Sequence, residues 1–144
     1  MSSEEKQDKV GYLQMIQEPI CRMSTTSAIF KGFSATIVAG VSALSFKDMN
    51  IWILGLSFLP VVSFMLLDIY YLILERKYRY LFELVRKDEH EIDFSLNLTN
   101  DPMDLLKARA RISDCLKSPS IWLFYPWMIT VLFIVFILKF KGVV

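Results

Sequence analysis

Apolar residues gather in three stretches, roughly 28–46, 51–74 and 120–138. A helix needs about 20 mainly apolar residues to cross a ~30 Å hydrocarbon layer, and each stretch is near that length. In lipid the backbone finds no water, so each must satisfy its own hydrogen bonds as a helix. The pattern therefore predicts an all-α integral membrane protein with three transmembrane helices. The 46–50 turn between the first two is short enough only for a helical hairpin. Before the first span, Tyr12, Leu13, Ile16, Ile20 and Met23 recur at spacings of three and four. That predicts a helix lying at the membrane surface, interrupted or bent at Pro19.

The second span has no visible stop. Neither Pro nor Gly occurs from Leu72 to His90, and Tyr71, Leu74, Tyr78, Leu81 and Val85 make an apolar stripe. Arg76, Arg79, Glu83 and Arg86 make a polar one. A helix over 51–90, kinked at Pro60, would be about 60 Å long, and half of it would project as a stalk. The stripe points to packing against neighbours as a coiled coil. Residues 92–98 alternate Ile92, Phe94, Leu96 and Leu98 with polar positions, a strand-like pattern. A short helix follows, with Asn100 or Asp101 as N-cap and Pro102 in its first turn. Trp122, Tyr125 and Trp127 form an aromatic belt where the third span begins. The chain thus divides into an interfacial segment (1–27), a transmembrane hairpin (28–74), a stalk and vestibule (75–118), and the third span with its tail (119–144).

Charge supplies an orientation. Three spans put the N-terminus and the 75–118 loop on one side, with 13 of the 16 Lys and Arg residues. Lys47, Lys139 and Lys141 fall on the other, so the positive-inside rule makes the N-terminus cytoplasmic. The first span is expected to be retained, since polar and amphipathic residues precede it without a convincing cleavage site. Cys21 and Cys115 both fall on the cytoplasmic side and read as reduced structural thiols.

Candidate chemistry is sparse. There is no Ser/His/Asp or Cys/His set, no phosphate-binding Gly-rich loop and no metal-ligand spacing, so neither catalysis nor a cofactor is expected. An ionisable residue inside a span is a functional candidate, and Lys31 and Asp68 qualify. Counted from the turn, they fall at similar depth, which predicts an intramembrane ion pair stapling the hairpin. Ala35, Ala39 and Ala43, and Gly32, Thr36 and Gly40, form small-residue ladders that allow close helix association. The alternative for that face is a pore lined by Ser34, Thr36, Ser42 and Ser45. On the stalk, Arg76, Lys77, Arg79 and Arg86 interleave with Tyr78, a pairing of cations and rings that suits a nucleotide. Against this, segment 75–118 carries nine basic and nine acidic residues. Surface pairing and contact with membrane lipid remain open beside ligand binding.

Two runs carry a resemblance. ICRMSTTSAIFKGFSAT at 20–36 and DIYYLILERKYRYLFELVR at 68–86 resemble a family of small bacterial membrane proteins. It shares an R-M-x-x-x-S-x-x-x-K-G motif and a D-x-Y-Y-L-x-x-E-R-x-[FY]-R-x-L-[FY] motif, and the Phe124-Tyr125 pair before Pro126 fits its last span. Arg22, Lys31, Asp68, Tyr71, Glu75, Arg76 and Arg79 are the shared polar positions. Proteins of this shape are similar to the membrane-channel effectors of Hailong-type anti-phage systems. The resemblance implies a homo-oligomeric inner-membrane channel with a periplasmic C-terminus. Its opening signal would be an oligonucleotide made by a partner nucleotidyltransferase. Two other roles stay open: a non-conducting anchor that recruits a soluble partner, and an accessory subunit of a transporter.

Overall fold

The computed structural model describes residues 3–45, 50–97, 115 and 117–142. Among these the chain is helical, with no strand. Helix α1 spans Ser3–Ser45 and α2 Ile51–Leu56. Helix α3 spans Phe58–Arg86, α4 Pro119–Trp122 and α5 Phe124–Phe140. Three helical runs, Ser3–Ser45, Ile51–Arg86 and Pro119–Phe140, are long and apolar enough to cross a membrane. Their most apolar windows are only 11%, 22% and 17% buried within the chain. Apolar side chains that face outward in such numbers are suited to lipid rather than to water.

Two prolines explain two breaks. The second run is interrupted at Ser57 and the third at Leu123, each three residues before a proline, Pro60 and Pro126. A proline has no N–H for the carbonyl four residues back, and its ring crowds that carbonyl. The Ser57 N–H lies between the carbonyls of Ile53 and Leu54, while its hydroxyl donates to Leu54 at 2.6 Å. Pro19 causes no such break: α1 runs through it over 43 residues, with Pro19 buried. The expected interruption before the first span is therefore absent.

The chain forms two compact units, Met1–Thr26 with Tyr70–Cys115, and Ser27–Ile69 with Leu116–Val144. In the first, Tyr12, Ile16 and Ile20 of α1 pack on Leu81 and Val85 of α3, flanked by Leu13, Tyr78, Phe82 and Leu96. The two apolar stripes thus meet each other. The apolar stripe expected to rest on a membrane surface is covered by α3 at Tyr12, Ile16 and Ile20. Helix α3 ends in a Schellman motif, with Glu89 N–H on Leu84 C=O and Asp88 N–H on Val85 C=O. Asp88 takes the left-handed conformation (φ 60°) that this motif demands. The stalk helix accordingly stops at Arg86 rather than continuing to 90.

Residues 91–97 form no strand, and here the alternation misleads. The Ser95 amide donates to the Asp93 carboxylate at 2.9 Å and the Asn97 amide to the Ser95 hydroxyl at 3.1 Å. Such local bonds turn the backbone back on itself, and Phe94 sits at φ 53°. Leu98 and the helix expected after Asn100 lie outside the described residues.

In the second unit, Val38, Leu54, Val61, Ile69, Ile121, Tyr125 and Leu132 are buried. Phe64 stacks against Phe30 and Phe33, with ring centroids 5.8 and 6.0 Å away. Phe136 meets Phe58 edge-on and lies 3.9 Å from where a Cβ on Gly55 would sit. Lys139 donates at 3.1 Å to the carbonyl of Ser45, the last residue of α1, so a cation closes that helix end.

Candidate functional site

The second unit holds a buried polar cluster. Lys31 on α1 reaches across to α3, its Nζ 2.6 Å from Asp68 Oδ2, and donates to Ser27 Oγ one turn back at 2.7 Å. The side chains are 18% and 1% exposed, so the pair is enclosed chiefly on the carboxylate side. Asp68 Oδ1 is buried and has no hydrogen bond. Tyr125, from the third span, brings its hydroxyl beside Asp68 and Ser34 and makes a long 3.4 Å bond to the Phe64 carbonyl. All three spanning helices therefore contribute to one cluster. Tyr125 escaped the sequence reading because it was assigned to an aromatic belt. Its depth, level with Lys31 and Asp68 at the same end of a span, was the signal.

The four hydroxyls considered for a pore do not share one surface. Ser34 and Ser45 are fully buried within the chain, Ser42 is half-buried, and Thr36 is exposed. Ser34, Thr36 and Ser45 each donate to the carbonyl four residues back, at 2.9, 2.9 and 3.0 Å. Ser42 Oγ is buried without a hydrogen bond. The outward face of α1 in this region carries Gly32, Thr36, Ala39, Gly40 and Ala43. A Cβ built on Gly32 or Gly40 meets nothing within 4 Å.

The stalk arginines lie in the first unit. Arg79 pairs with Glu75 and Arg86 with Glu83, both at 2.7 Å along the same helix. The exposed Arg86–Glu83 pair contributes about 0.2–1 kcal/mol, whereas Glu75 is buried; both pairs offset the charge a phosphate would seek. Arg76, Lys77 and Tyr78 are half-buried, and Tyr78 packs on the α1–α3 core. Arg76, Arg79, Tyr80 and Glu83 line a groove of about 300 Å³. Gln17, Ile20, Cys21, Arg79, Phe82 and Glu83 line another of about 360 Å³. Of the remaining motif positions, Arg22 is exposed and Tyr71 meets Tyr70 edge-on.

A second polar centre in this unit was not anticipated. The Tyr12 hydroxyl lies 3.0 Å from Asp93 Oδ1 and 2.6 Å from the Ser95 carbonyl. Lys9 donates to the Arg86 carbonyl at 2.9 Å and forms an ion pair with Asp88 at 2.7 Å. Together they tie the segment after α3 to α1. The Ser95 amide above all, helped by the Tyr12 hydroxyl and nearby His90, holds the Asp93 carboxyl below its ordinary 3.8 against the opposing effect of desolvation. His90 Nδ1 itself lies 2.6 Å from the Glu91 carbonyl.

Among the described residues no group of His, Cys, Asp or Glu is placed to hold a metal ion. Cys21 is an exposed thiol and Cys115 a buried one. The chemistry on offer is an enclosed ion pair with a tyrosine hydroxyl beside it, and a small-residue strip on α1 accompanied by the exposed Phe33 and Leu44. Comparison with protein-family models, with curated proteins and with solved structures found no match for this chain.

Proposed function

We propose that this chain is the subunit of a homo-oligomeric inner-membrane channel, with its N-terminus and stalk cytoplasmic. A cytoplasmic nucleotide-type signal opens it, as in bacterial anti-phage defence. The observation that carries the reading is the outward face of α1. Gly32, Thr36 and Gly40 stand four residues apart and are exposed, and a Cβ on either glycine would meet nothing within 4 Å. Small residues let helix backbones approach closely in lipid, where packing rather than water expulsion drives association. The described helices are too few to enclose a conduction path within one chain, so the path lies on an axis between copies. The Lys31–Asp68 pair holds the hairpin rigid beside that face.

Opening requires that the signal bind one state better than the other. The groove beside Arg76, Arg79 and Tyr80 is the place proposed for it, with a phosphate competing against Glu75 and Glu83 for the arginines. An anchor that recruits a soluble partner through the stalk is less favoured, because α1 already covers the stalk's apolar stripe.

The test is ion flux from vesicles holding the purified chain, alone and with a cytoplasmic nucleotide extract, together with its mass in detergent. Flux that depends on the extract, from a species several chains in size, supports the proposal. Gly40→Ile should dissociate that species and abolish flux while leaving helix content unchanged. A monomer that stays tight under every condition overturns the channel.

A further inference from the structure

Two arginines of α3 stand alike toward solvent and differ in what they cover. The Arg79 and Arg86 side chains are 60% and 58% exposed, and each pairs with a glutamate at 2.7 Å. The Glu83 side chain beneath Arg86 is 40% exposed, whereas the Glu75 side chain beneath Arg79 is 10% exposed. Both Nε and Nη2 of Arg79 lie 2.7 Å from Glu75 Oε1. Among the described residues of the first unit, Glu75 is the one buried charged group, and its cation reaches in from outside.

The packing gives that difference a consequence. Gln17, Ile20 and Cys21 of α1 line one groove with Arg79, Phe82 and Glu83 of α3. Lys9, earlier on α1, meets Asp88, later in the chain, so the two helices run antiparallel. One turn beyond the groove the buried residues are Met23 on α1 and Glu75 on α3. A phosphate that takes Arg79 leaves Glu75 an enclosed charge without a cation, which costs far more than losing an exposed pair. Parting α1 from α3 beside it lets water reach the carboxylate and removes that cost. An anion at Arg79 therefore binds the parted arrangement better than the packed one. That is the difference in affinity a ligand needs to shift an equilibrium. At Arg86 the same exchange has no such effect, because Glu83 already meets water.

We propose that the Arg79–Glu75 pair is the coupling device of the stalk: a phosphate-bearing ligand that draws Arg79 away loosens α1 from α3. The inference rests on the nucleotide-type signal of the proposed function and adds how that signal acts. Arg79 is the residue the ligand touches. Glu75 is a positioning residue that acts through it.

Hydrogen exchange of the full chain in detergent micelles reads the packing through the amides of residues 13–24 on α1. Arg79→Gln, which strands Glu75 as the ligand would, should lower their protection by about tenfold, a coupling of ordinary size. Arg86→Gln should leave them unchanged. Glu75→Gln combined with Arg79→Gln should restore them, because a neutral amide needs no cation. Tripolyphosphate, a probe with phosphate charge and no base, should lower protection in the parent chain and leave Glu75→Gln unaffected. Protection in Arg79→Gln equal to that in Arg86→Gln overturns the proposal, as does a double variant no better protected than Arg79→Gln. Tripolyphosphate that leaves the parent unchanged, or loosens Glu75→Gln just as much, overturns it too. Vesicle flux keeps the two levels apart. Loosened helices in vesicles that stay tight refute the channel and leave the coupling. Conduction by the parent with extract, alongside an Arg79→Gln chain as protected as the parent, refutes only the coupling.

Discussion

Replacing Lys31 by Met strands the Asp68 carboxylate. That side chain is 1% exposed, so losing the 2.6 Å contact leaves a buried charge with the Tyr125 hydroxyl beside it but no cation. Breaking a buried pair from one side costs about 3–5 kcal/mol. Asp68→Asn is the milder change. The Lys31 side chain is 18% exposed, keeps its bond to Ser27, and can extend along its stem toward polar surroundings. Loss of one charge-assisted hydrogen bond sets its cost at about 1.5–3 kcal/mol. The double variant should cost less than the sum of the two, since each single change already removes the shared contact. Unfolding of the four purified proteins in mixed detergent micelles, followed by circular dichroism, measures all three quantities. Two results refute the reasoning. One is Lys31→Met within about 1 kcal/mol of the parent, well short of the cost of a broken buried pair. The other is a double variant whose cost is the plain sum.

The core between α1 and α3 gives a second expectation. Ile16→Ala should destabilise that helix pair by about 2–5 kcal/mol, while Met15→Ala, one residue away and exposed, should stay within about 0.5 kcal/mol. Protease susceptibility of the 87–97 segment reads the difference. Acid supplies a third. The folded Asp93 carboxyl lies below its ordinary 3.8, so its contribution to stability is fully present above that value. It is lost as the pH falls through the lower, folded value. Hydrogen exchange of residues 91–97 should therefore be steady at neutral and mildly acid pH and rise only below about pH 4. In Tyr12→Phe, carboxyl titration by NMR should find Asp93 moved back up toward 3.8.

Hydrophobic run length located three helices long and apolar enough to cross a membrane, because spanning lipid is a demand on length and composition alone. Counting residues from the turn also put Lys31 and Asp68 at one depth, and the structure places them in contact. Periodicity was less informative about partners. Tyr12, Ile16 and Ile20 show which face of α1 is apolar, and Leu81 and Val85 do the same for α3, but spacing does not state that the two faces meet. A membrane surface or a neighbouring chain would leave the same pattern. Pro60 and Pro126 interrupt their helices while Pro19 does not, so proline position alone overstates the breaks. Over 92–97, the side chains of Asp93 and Ser95 bind nearby backbone and defeat the strand that alternation favours. Tyr125 was hidden because an aromatic belt and a polar contact can be the same residue.

The bond from Thr36 to the Gly32 carbonyl has a further consequence. A hydroxyl owns a single proton, and here it is committed to the helix backbone, so what Thr36 turns outward is lone pairs. Thr130 on α5 is exposed in the same condition, its proton given to Pro126. In the proposed channel, such oxygens repeated around an axis would form a ring that accepts but does not donate. It can replace the hydration of a cation and has nothing to offer an anion. The expected sign of selectivity is thus cationic, and a reversal potential under a salt gradient would reverse that conclusion if anions carried the current.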